Sequence, residues 1–211
     1  MCFEQAYIFA IALILITGSY IIASTAEATE PDYDDPQVVI SLLNGLATAD
    51  KPYQELNSLT PEARQAVIDG LKATTVTRSA ETVVEGNKEQ GTSAYTSASC
   101  TTQKITFTYK NTYGIRLFRY ISSTRWCWDG TEITNDPYFR AYGKVDFLVW
   151  EYVGNINETT SGGQGEWSHH DFAQGHFRLC VETDKVSGCI KHVYPAIDKS
   201  QYGDGTSTYS Y

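Results

Sequence analysis

The chain has 211 residues, of which 16 are basic and 25 acidic, and its net charge is −9 at neutral pH. An acidic protein of this kind is a poor partner for nucleic acid and for anionic membrane surfaces, so both are excluded as expected partners. Fifteen tyrosines, four tryptophans and sixteen glycines beside one methionine indicate a β-rich extracellular protein rather than a helical one.

An apolar run near the N-terminus, Ile8 to Ala23, predicts export. It has 16 residues, whereas a membrane-spanning helix needs about 20. Small residues at Ser24 and Ala26 provide a cleavage site, so residues 1–26 are predicted to be a signal peptide. An uncleaved N-terminal anchor is the alternative, because the segment before the run contains Glu4 and no lysine or arginine. Contact with a membrane is expected only if this segment is retained.

Residues 27–73 are predicted to form an acidic lead-in followed by an α-hairpin. The lead-in, residues 27–35, is acidic and contains a proline, which is typical of a disordered segment. Asp35-Pro36 and Thr60-Pro61 each predict the start of a short helix, because aspartate and threonine cap helices and proline fits the first helical position. Each helix is too short to be stable alone, so the pair must dock on another element.

Residues 74–99 are predicted to form a strand and a polar linker. The segment from Thr74 is rich in β-branched residues, which favour strands, and Gly86 to Ser99 is small, polar and without periodicity. Residues 100–211 are predicted to form the main β domain. An apolar segment, Lys144 to Val153, predicts a central strand, because it is apolar on both faces.

The other predicted strands are short and are separated by glycine-rich turns. This pattern predicts a mainly β fold, a disulfide-stapled antiparallel β-sandwich or barrel with a short N-terminal α-hairpin. The clearest of these strands are Ile105 to Tyr109, Ile115 to Ile121, Arg125 to Trp128, Phe172 to Glu182 and Cys189 to Asp198.

Four widely spaced cysteines follow the export segment, and an even number in an exported chain predicts disulfides. The last two predicted strands form a hairpin that places Cys180 opposite Cys189, at bridging distance. This leaves Cys100 to pair with Cys127.

The same hairpin register assigns residues to the two faces of the sheet. Phe177, Leu179, Ile190 and Tyr194 are expected on the core face, with the Cys180–Cys189 bridge on the opposite face. A β-bulge in the hairpin would reverse this assignment for the second strand, because a shift of one residue exchanges the two faces.

The densest polar cluster raises the question of a metal site. Its candidate ligands are Glu166, His169, His170 and His176, with His192 on the next strand. Their spacing along a strand is poor for one ion, so a polar loop that enters a strand is the favoured interpretation. No nucleophile motif is present, so we assign no catalytic residue and expect no cofactor.

Trp126 and Trp128 flank Cys127, and in a strand both rings point to one face. Exposed, they would form a stacking platform for a sugar or an apolar partner. Buried, they would belong to the core, and we expect this for at least one of them because large aromatic rings dominate protein cores.

Several short segments of the C-terminal half resemble a group of small secreted bacterial proteins of unknown function. The similarity covers roughly residues 95 to 206, and it implies export, the two bridges and the β architecture, with no activity attached. The matching segments are Trp126-Cys127-Trp128-Asp129-Gly130, Gly175-His176-Phe177-Arg178-Leu179-Cys180, Gly188-Cys189, Pro195-Ala196-Ile197 and Tyr202-Gly203-Asp204-Gly205.

These observations lead to one functional hypothesis and two alternatives. The first is a secreted or cell-surface, non-enzymatic β domain for extracellular binding or envelope structure, with a carbohydrate or a protein as its ligand. The second is an extracellular hydrolase or metal-dependent enzyme that uses the region from Glu166 to His176. The third is a lipocalin-like carrier of small molecules.

Overall fold

Two antiparallel β-sheets and three short helices make up the fold in the computed structural model, which describes residues 31–85, 99–147, 149–182 and 187–211. The helices are α1 (Pro36–Thr48), α2 (Pro52–Ser58) and α3 (Pro61–Gly70). The strands are β1 (Thr75–Glu85), β2 (Ser99–Lys110), β3 (Arg116–Trp128), β4 (Tyr138–Val145), β5 (Trp150–Gly162), β6 (Ser168–Glu182), β7 (Ser187–Val193), β8 (Ala196–Tyr202) and β9 (Ser207–Ser210).

The first sheet has the strand order β1-β2-β3-β4, and the second has the order β5-β6-β8-β9. Strand β7 also pairs with β6, along residues 177–182, while β8 pairs with residues 168–174 of the same strand. The two sheets form a disulfide-stapled sandwich and not a closed barrel, which confirms the predicted fold class and selects the first of its two forms.

Three helices are present where the sequence predicted a hairpin of two. The predicted helix starts are confirmed: the side chain of Asp35 accepts a hydrogen bond from the Gln37 amide at 2.9 Å, and Thr60 caps α3 in the same way. Helix α2 was missed because only Leu56 is buried in it, so no apolar stripe marks it. None of the helices in the described parts of the chain has the length and apolar character needed to span a membrane.

The helices and the sheets share one hydrophobic core. Leu43, Leu56 and Leu71 pack in the same buried cluster as Phe118 and Phe177 of the strands. Two further side chains bind the end of α3: the indole of Trp150 in β5 donates to the Leu71 carbonyl at 3.0 Å, and the amide of Asn111, just after β2, donates to the Gly70 carbonyl at 2.6 Å. The predicted docking of the helices therefore takes place on the sandwich.

Strand β1 confirms the strand predicted from Thr74, and it pairs with β2 from Thr75↔Lys110 to Glu85↔Cys100. The predicted linker, Gly86 to Ser99, lies outside the described residues except for Ser99, which begins β2. The predicted signal peptide also lies outside them. The last residues of the predicted disordered lead-in form an ordered turn into α1, in which the Asp35 amide donates to the Asp32 carbonyl at 3.2 Å.

The prediction of one central strand from Lys144 to Val153 is wrong. Strand β4 ends at Val145 and β5 begins at Trp150, so this segment is a corner that carries the chain from one sheet to the other. It is apolar because Phe147, Val149 and Trp150 are all buried at the corner. The sequence pattern of a buried corner is the same as that of a strand buried on both faces.

Candidate functional site

Both predicted disulfides are present. Cys100 and Cys127 are register partners on β2 and β3, and Cys180 and Cys189 are register partners on β6 and β7. Each bridge therefore joins neighbouring strands of one sheet. Disulfides persist in oxidising compartments and are rare in the cytosol, so the pair indicates an oxidising extracellular environment.

A β-bulge between the second bridge and the end of β7 changes which side chains face solvent. Leu179 pairs with Lys191 and Cys180 with Cys189, which leaves Ile190 as the extra residue. The predicted core positions Phe177 and Leu179 are buried. The prediction is wrong for Ile190 and Tyr194, which are 41% and 49% exposed, because the bulge exchanges the faces of the residues that follow Cys189.

As a result, three rings come together on the outer face of β6 and β7, and we call His176, His192 and Tyr194 the ring cluster. His176 Nε2 lies 2.8 Å from His192 Nδ1, so the two imidazoles share a hydrogen bond. Tyr194 stacks on His176 with ring centroids 4.7 Å apart and planes 21° apart. The sequence indicated that His192 lies on the strand next to His176, but it assigned Tyr194 to the core. The position of Tyr194 depends on the bulge, which has no sequence signature.

Charged groups beside the ring cluster influence the protonation of His176. Partial burial, the neighbouring His192 and the positive charge of Arg178 hold the pKa of His176 below its ordinary value, with Glu151 acting in the opposite direction. Arg178 is itself paired with Glu151 at 2.7 Å. The lowered pKa favours the neutral form of the His176 imidazole at neutral pH.

A groove of about 450 Å³ lies beside the ring cluster, between the start of β1 and the end of β7. Hydroxyl groups, a lysine and two ring-cluster residues line it, together with a few apolar side chains. The polar and aromatic lining residues are Thr74, Thr75, Tyr109, Lys191, His192 and Tyr194. A groove of this composition can stack an aromatic ring on a ligand and donate several hydrogen bonds to it.

A second polar group lies inside the sandwich and was not foreseen from the sequence. This interior polar cluster consists of Lys199, Thr124, Asp171 and His169, all of them buried. Lys199 Nζ donates to Thr124 Oγ1 at 2.5 Å, and Thr124 donates to Asp171 Oδ2 at 2.6 Å. His169 Nε2 lies 2.7 Å from Asp171 Oδ1, and its Nδ1 lies 3.2 Å from the Gly162 carbonyl oxygen.

Burial and the negative charge of Asp171 shift the pKa values of the two basic side chains in the interior polar cluster. Burial lowers the pKa of His169, but the hydrogen bond and negative charge of Asp171 and the Gly162 carbonyl outweigh it, so the net pKa is raised. Burial lowers the pKa of Lys199 to about 8, against the opposing effect of Asp171. Because all four side chains are enclosed, the cluster acts on the stability of the fold rather than on an external ligand.

The tryptophan candidates belong mainly to the interior. Trp126 is fully buried, and its indole donates to the Tyr202 carbonyl at 3.2 Å. Trp128 is half-buried and donates to Thr101 Oγ1 at 2.9 Å. The expectation that at least one of them is a core residue agrees with this arrangement, and the pair does not form an open platform.

The four candidate metal ligands lie in separate places. Adjacent residues of a strand point to opposite faces, so His169 enters the interior polar cluster while His170 pairs with Asp198 on the outside at 2.8 Å. His176 belongs to the ring cluster, and Glu166 is exposed in the turn before β6. Within the described residues, no three His, Cys, Asp or Glu side chains are grouped so that they could hold a metal ion.

Comparisons with known proteins add no family to this description. No protein-family model matches the chain. No curated protein and no solved structure shows significant similarity to it. The function proposed below is therefore based on the geometry of the ring cluster and the groove.

Proposed function

We propose that this protein is a secreted or cell-surface, non-enzymatic β domain that binds an extracellular ligand in the groove beside the ring cluster. One observation carries the proposal: Tyr194 is 49% exposed and forms one wall of the groove, where its ring is accessible to a ligand. Stacking on His176, with ring centroids 4.7 Å apart, holds the Tyr194 ring in one orientation, so a ligand in the groove meets an aromatic side chain that is already ordered.

The lining of the groove favours a carbohydrate as the ligand. Tyr194 offers an aromatic surface for the apolar face of a sugar ring, while Thr74, Thr75 and the lysine head group of Lys191 offer hydrogen bonds to hydroxyl groups. A carbohydrate polymer of a cell envelope would give the domain a structural role through the same contacts. A protein ligand is the alternative, since aromatic residues are also enriched in protein interfaces.

The proposed location follows from the disulfides and the N-terminal apolar run. Two bridges between neighbouring strands need an oxidising compartment to form and persist. Export by a signal peptide, cleaved after Ala26, would deliver the chain to such a compartment. N-terminal sequencing of the exported protein tests this step, and a mature chain that begins at Met1 would contradict it.

The enzyme alternative receives less support from the geometry. It needs the region from Glu166 to His176 to converge on one substrate, whereas His169 and His170 point to opposite faces of β6. The carrier alternative needs the enclosed cavity of a closed barrel, and the two sheets do not form one. We therefore retain the binding domain as the proposal.

Binding to an array of immobilised carbohydrates tests the proposed site. We expect the wild-type protein to bind at least one class of glycan and the Tyr194→Ala variant to lose that binding with an unchanged melting temperature. Tyr138→Ala is the matched control, because Tyr138 is 67% exposed on β4, in the other sheet. Equal binding by both variants would contradict the proposal. Binding to a protein instead, lost in the Tyr194 variant, would keep the site and change the ligand class.

A further inference from the structure

We propose that His176 and His192 form a binding site for one divalent transition-metal ion, of the Zn²⁺, Ni²⁺ and Cu²⁺ class. The site is made by β6 and β7 on the outer face of the second sheet. It is distinct from the set of four candidate ligands considered from the sequence, with which it shares only His176. The inference does not depend on the ligand of the groove.

The first argument is the geometry of the two ring nitrogens. His176 Nε2 and His192 Nδ1 face each other at 2.8 Å. Two imidazole nitrogens that bind one metal ion at about 2.0–2.1 Å each are separated by about 3 Å or slightly more, depending on the coordination angle. Binding of one ion needs the two nitrogens to separate by a few tenths of an ångström and the rings to tilt until both lone pairs point at the ion. The ring of His192 is exposed and can make most of this movement. The ion takes the place of the hydrogen between the two nitrogens, and that proton moves to the other ring nitrogen of the same imidazole, so both ligands stay neutral.

The second argument is that the backbone holds the pair in place before any ion binds. His192 is the register partner of Arg178, two residues from His176, on antiparallel strands. The Cys180–Cys189 bridge fixes the same two strands further along the ladder. Tyr194 stacks on the ring of His176 and restricts its rotation. Ligands that are ordered in advance lose little side-chain entropy on binding.

The third argument concerns the chemistry of the ion. Neutral imidazole nitrogen suits Zn²⁺, Ni²⁺ and Cu²⁺, whereas Ca²⁺ and Mg²⁺ prefer oxygen ligands. The positive charge of Arg178 opposes any cation here, but Arg178 is paired with Glu151 at 2.7 Å, which reduces this repulsion. His192 is exposed and His176 is half-buried, so water can reach the ion and complete its coordination. Two protein ligands with water make an open and exchangeable site rather than a structural one.

Calorimetric titration of the tag-free, disulfide-intact protein with NiCl₂ and with ZnCl₂, in a non-chelating buffer, tests the proposal. We expect saturable binding of one ion. His192→Ala and, separately, His176→Ala should each weaken it by roughly tenfold or more, because each removes one of two protein ligands. The matched control is His170→Ala, which removes a partly exposed histidine of β6 that pairs with Asp198 instead of another histidine. Its affinity for the ion should equal that of the wild type.

Three results would overturn the proposal: no saturable binding, binding unchanged in His192→Ala, or equal losses in His192→Ala and His170→Ala. A second measurement separates loss of the site from loss of the fold. The imidazole NMR signals of His176 and His192 should broaden selectively when paramagnetic Cu²⁺ is added at a low molar ratio, while those of His170 stay sharp. Equal broadening at all three histidines would also count against the site. Glycan binding by the groove is measured without metal, so either proposal can fail while the other holds.

Discussion

Lys199 lies directly opposite Asp171 on the neighbouring strand, and the hydroxyl of Thr124 connects the two side chains across the sandwich. Lys199 is only 1% exposed and Asp171 is fully buried. A buried ion group of this kind contributes to stability only while every member keeps its partner, because the loss of one leaves an uncompensated charge in the interior.

Replacement of Asp171 by Ala should lower the free energy of unfolding by about 3–5 kcal/mol, because it leaves the buried ammonium of Lys199 without its counter-charge and the buried ring of His169 without its carboxylate partner. Asp198→Ala is the matched control on the partner strand. Asp198 pairs with His170 at 2.8 Å, but its side chain is 43% exposed, so its removal should cost less than about 1 kcal/mol. Urea denaturation of the two variants measures the difference. Similar losses would contradict the role given to the interior polar cluster.

Stability should rise between about pH 8 and pH 10 because of Lys199. Its folded pKa is about 8, below the ordinary value of 10.5, so the unfolded chain binds more protons in this window and stability increases with pH. The gain by pH 10 is on the order of 2 kcal/mol. Above pH 10 the buried tyrosines act in the opposite direction, since burial raises the pKa of Tyr109 and Tyr152. The Lys199→Met variant, measured over the same pH range, should lack the rise.

The two bridges should differ in their contribution to stability. Cys100 and Cys127 are 27 residues apart, and Cys180 and Cys189 are 9 apart. The chain-entropy model gives about 3.5 kcal/mol for the first bridge and about 2.5 kcal/mol for the second, because a longer loop loses more freedom in the unfolded state. Double Cys→Ala variants and chemical denaturation test this order. A larger loss for the Cys180–Cys189 variant would show that native-state effects outweigh loop length.

Gly205→Ala should destabilise the fold more than Gly114→Ala. Both glycines have positive φ, +83° and +79°, so both variants incur the strain of a left-handed backbone, about 1–2 kcal/mol. A Cβ at Gly205 would also overlap the indole ring of Trp128, whereas one at Gly114 meets no atom within 4 Å. We expect a further loss of about 1–3 kcal/mol at Gly205 from this overlap. Thermal denaturation compares the two, and equal losses would show that Trp128 moves aside freely.

The parts of the fold that were predicted correctly depend on local sequence patterns. Helix caps at Asp35 and Thr60 and the hairpin that pairs Cys180 with Cys189 are all encoded within a few residues. The errors concern features that local patterns do not specify. The segment from Lys144 to Val153 has the composition of a buried strand, and only the arrangement of the two sheets makes it a corner.

The candidate sites were harder to predict for the same reason. Lys199 was not singled out, because it lies on the same face of β8 as the buried Ile197 and Gln201, and two polar residues out of three do not mark that face as a core face in the sequence. The Lys199 partner Thr124 comes from the other sheet, which no spacing along the chain indicates. His192 was noted beside the histidines of β6, but its contact with His176 depends on the register of β7.

Ile190, the extra residue of the β-bulge, determines how the outer face of β7 responds to an insertion. It adds one residue to β7 without adding a pair to the ladder, and it thereby decides that His192 and Tyr194 face solvent. One further residue inserted between Cys189 and His192, with the bulge retained, would turn both rings toward the core with no substitution at either. The outer face of β7 is therefore more sensitive to small insertions than to point substitutions, and a difference of one residue in chain length would separate proteins that share every side chain of the ring cluster.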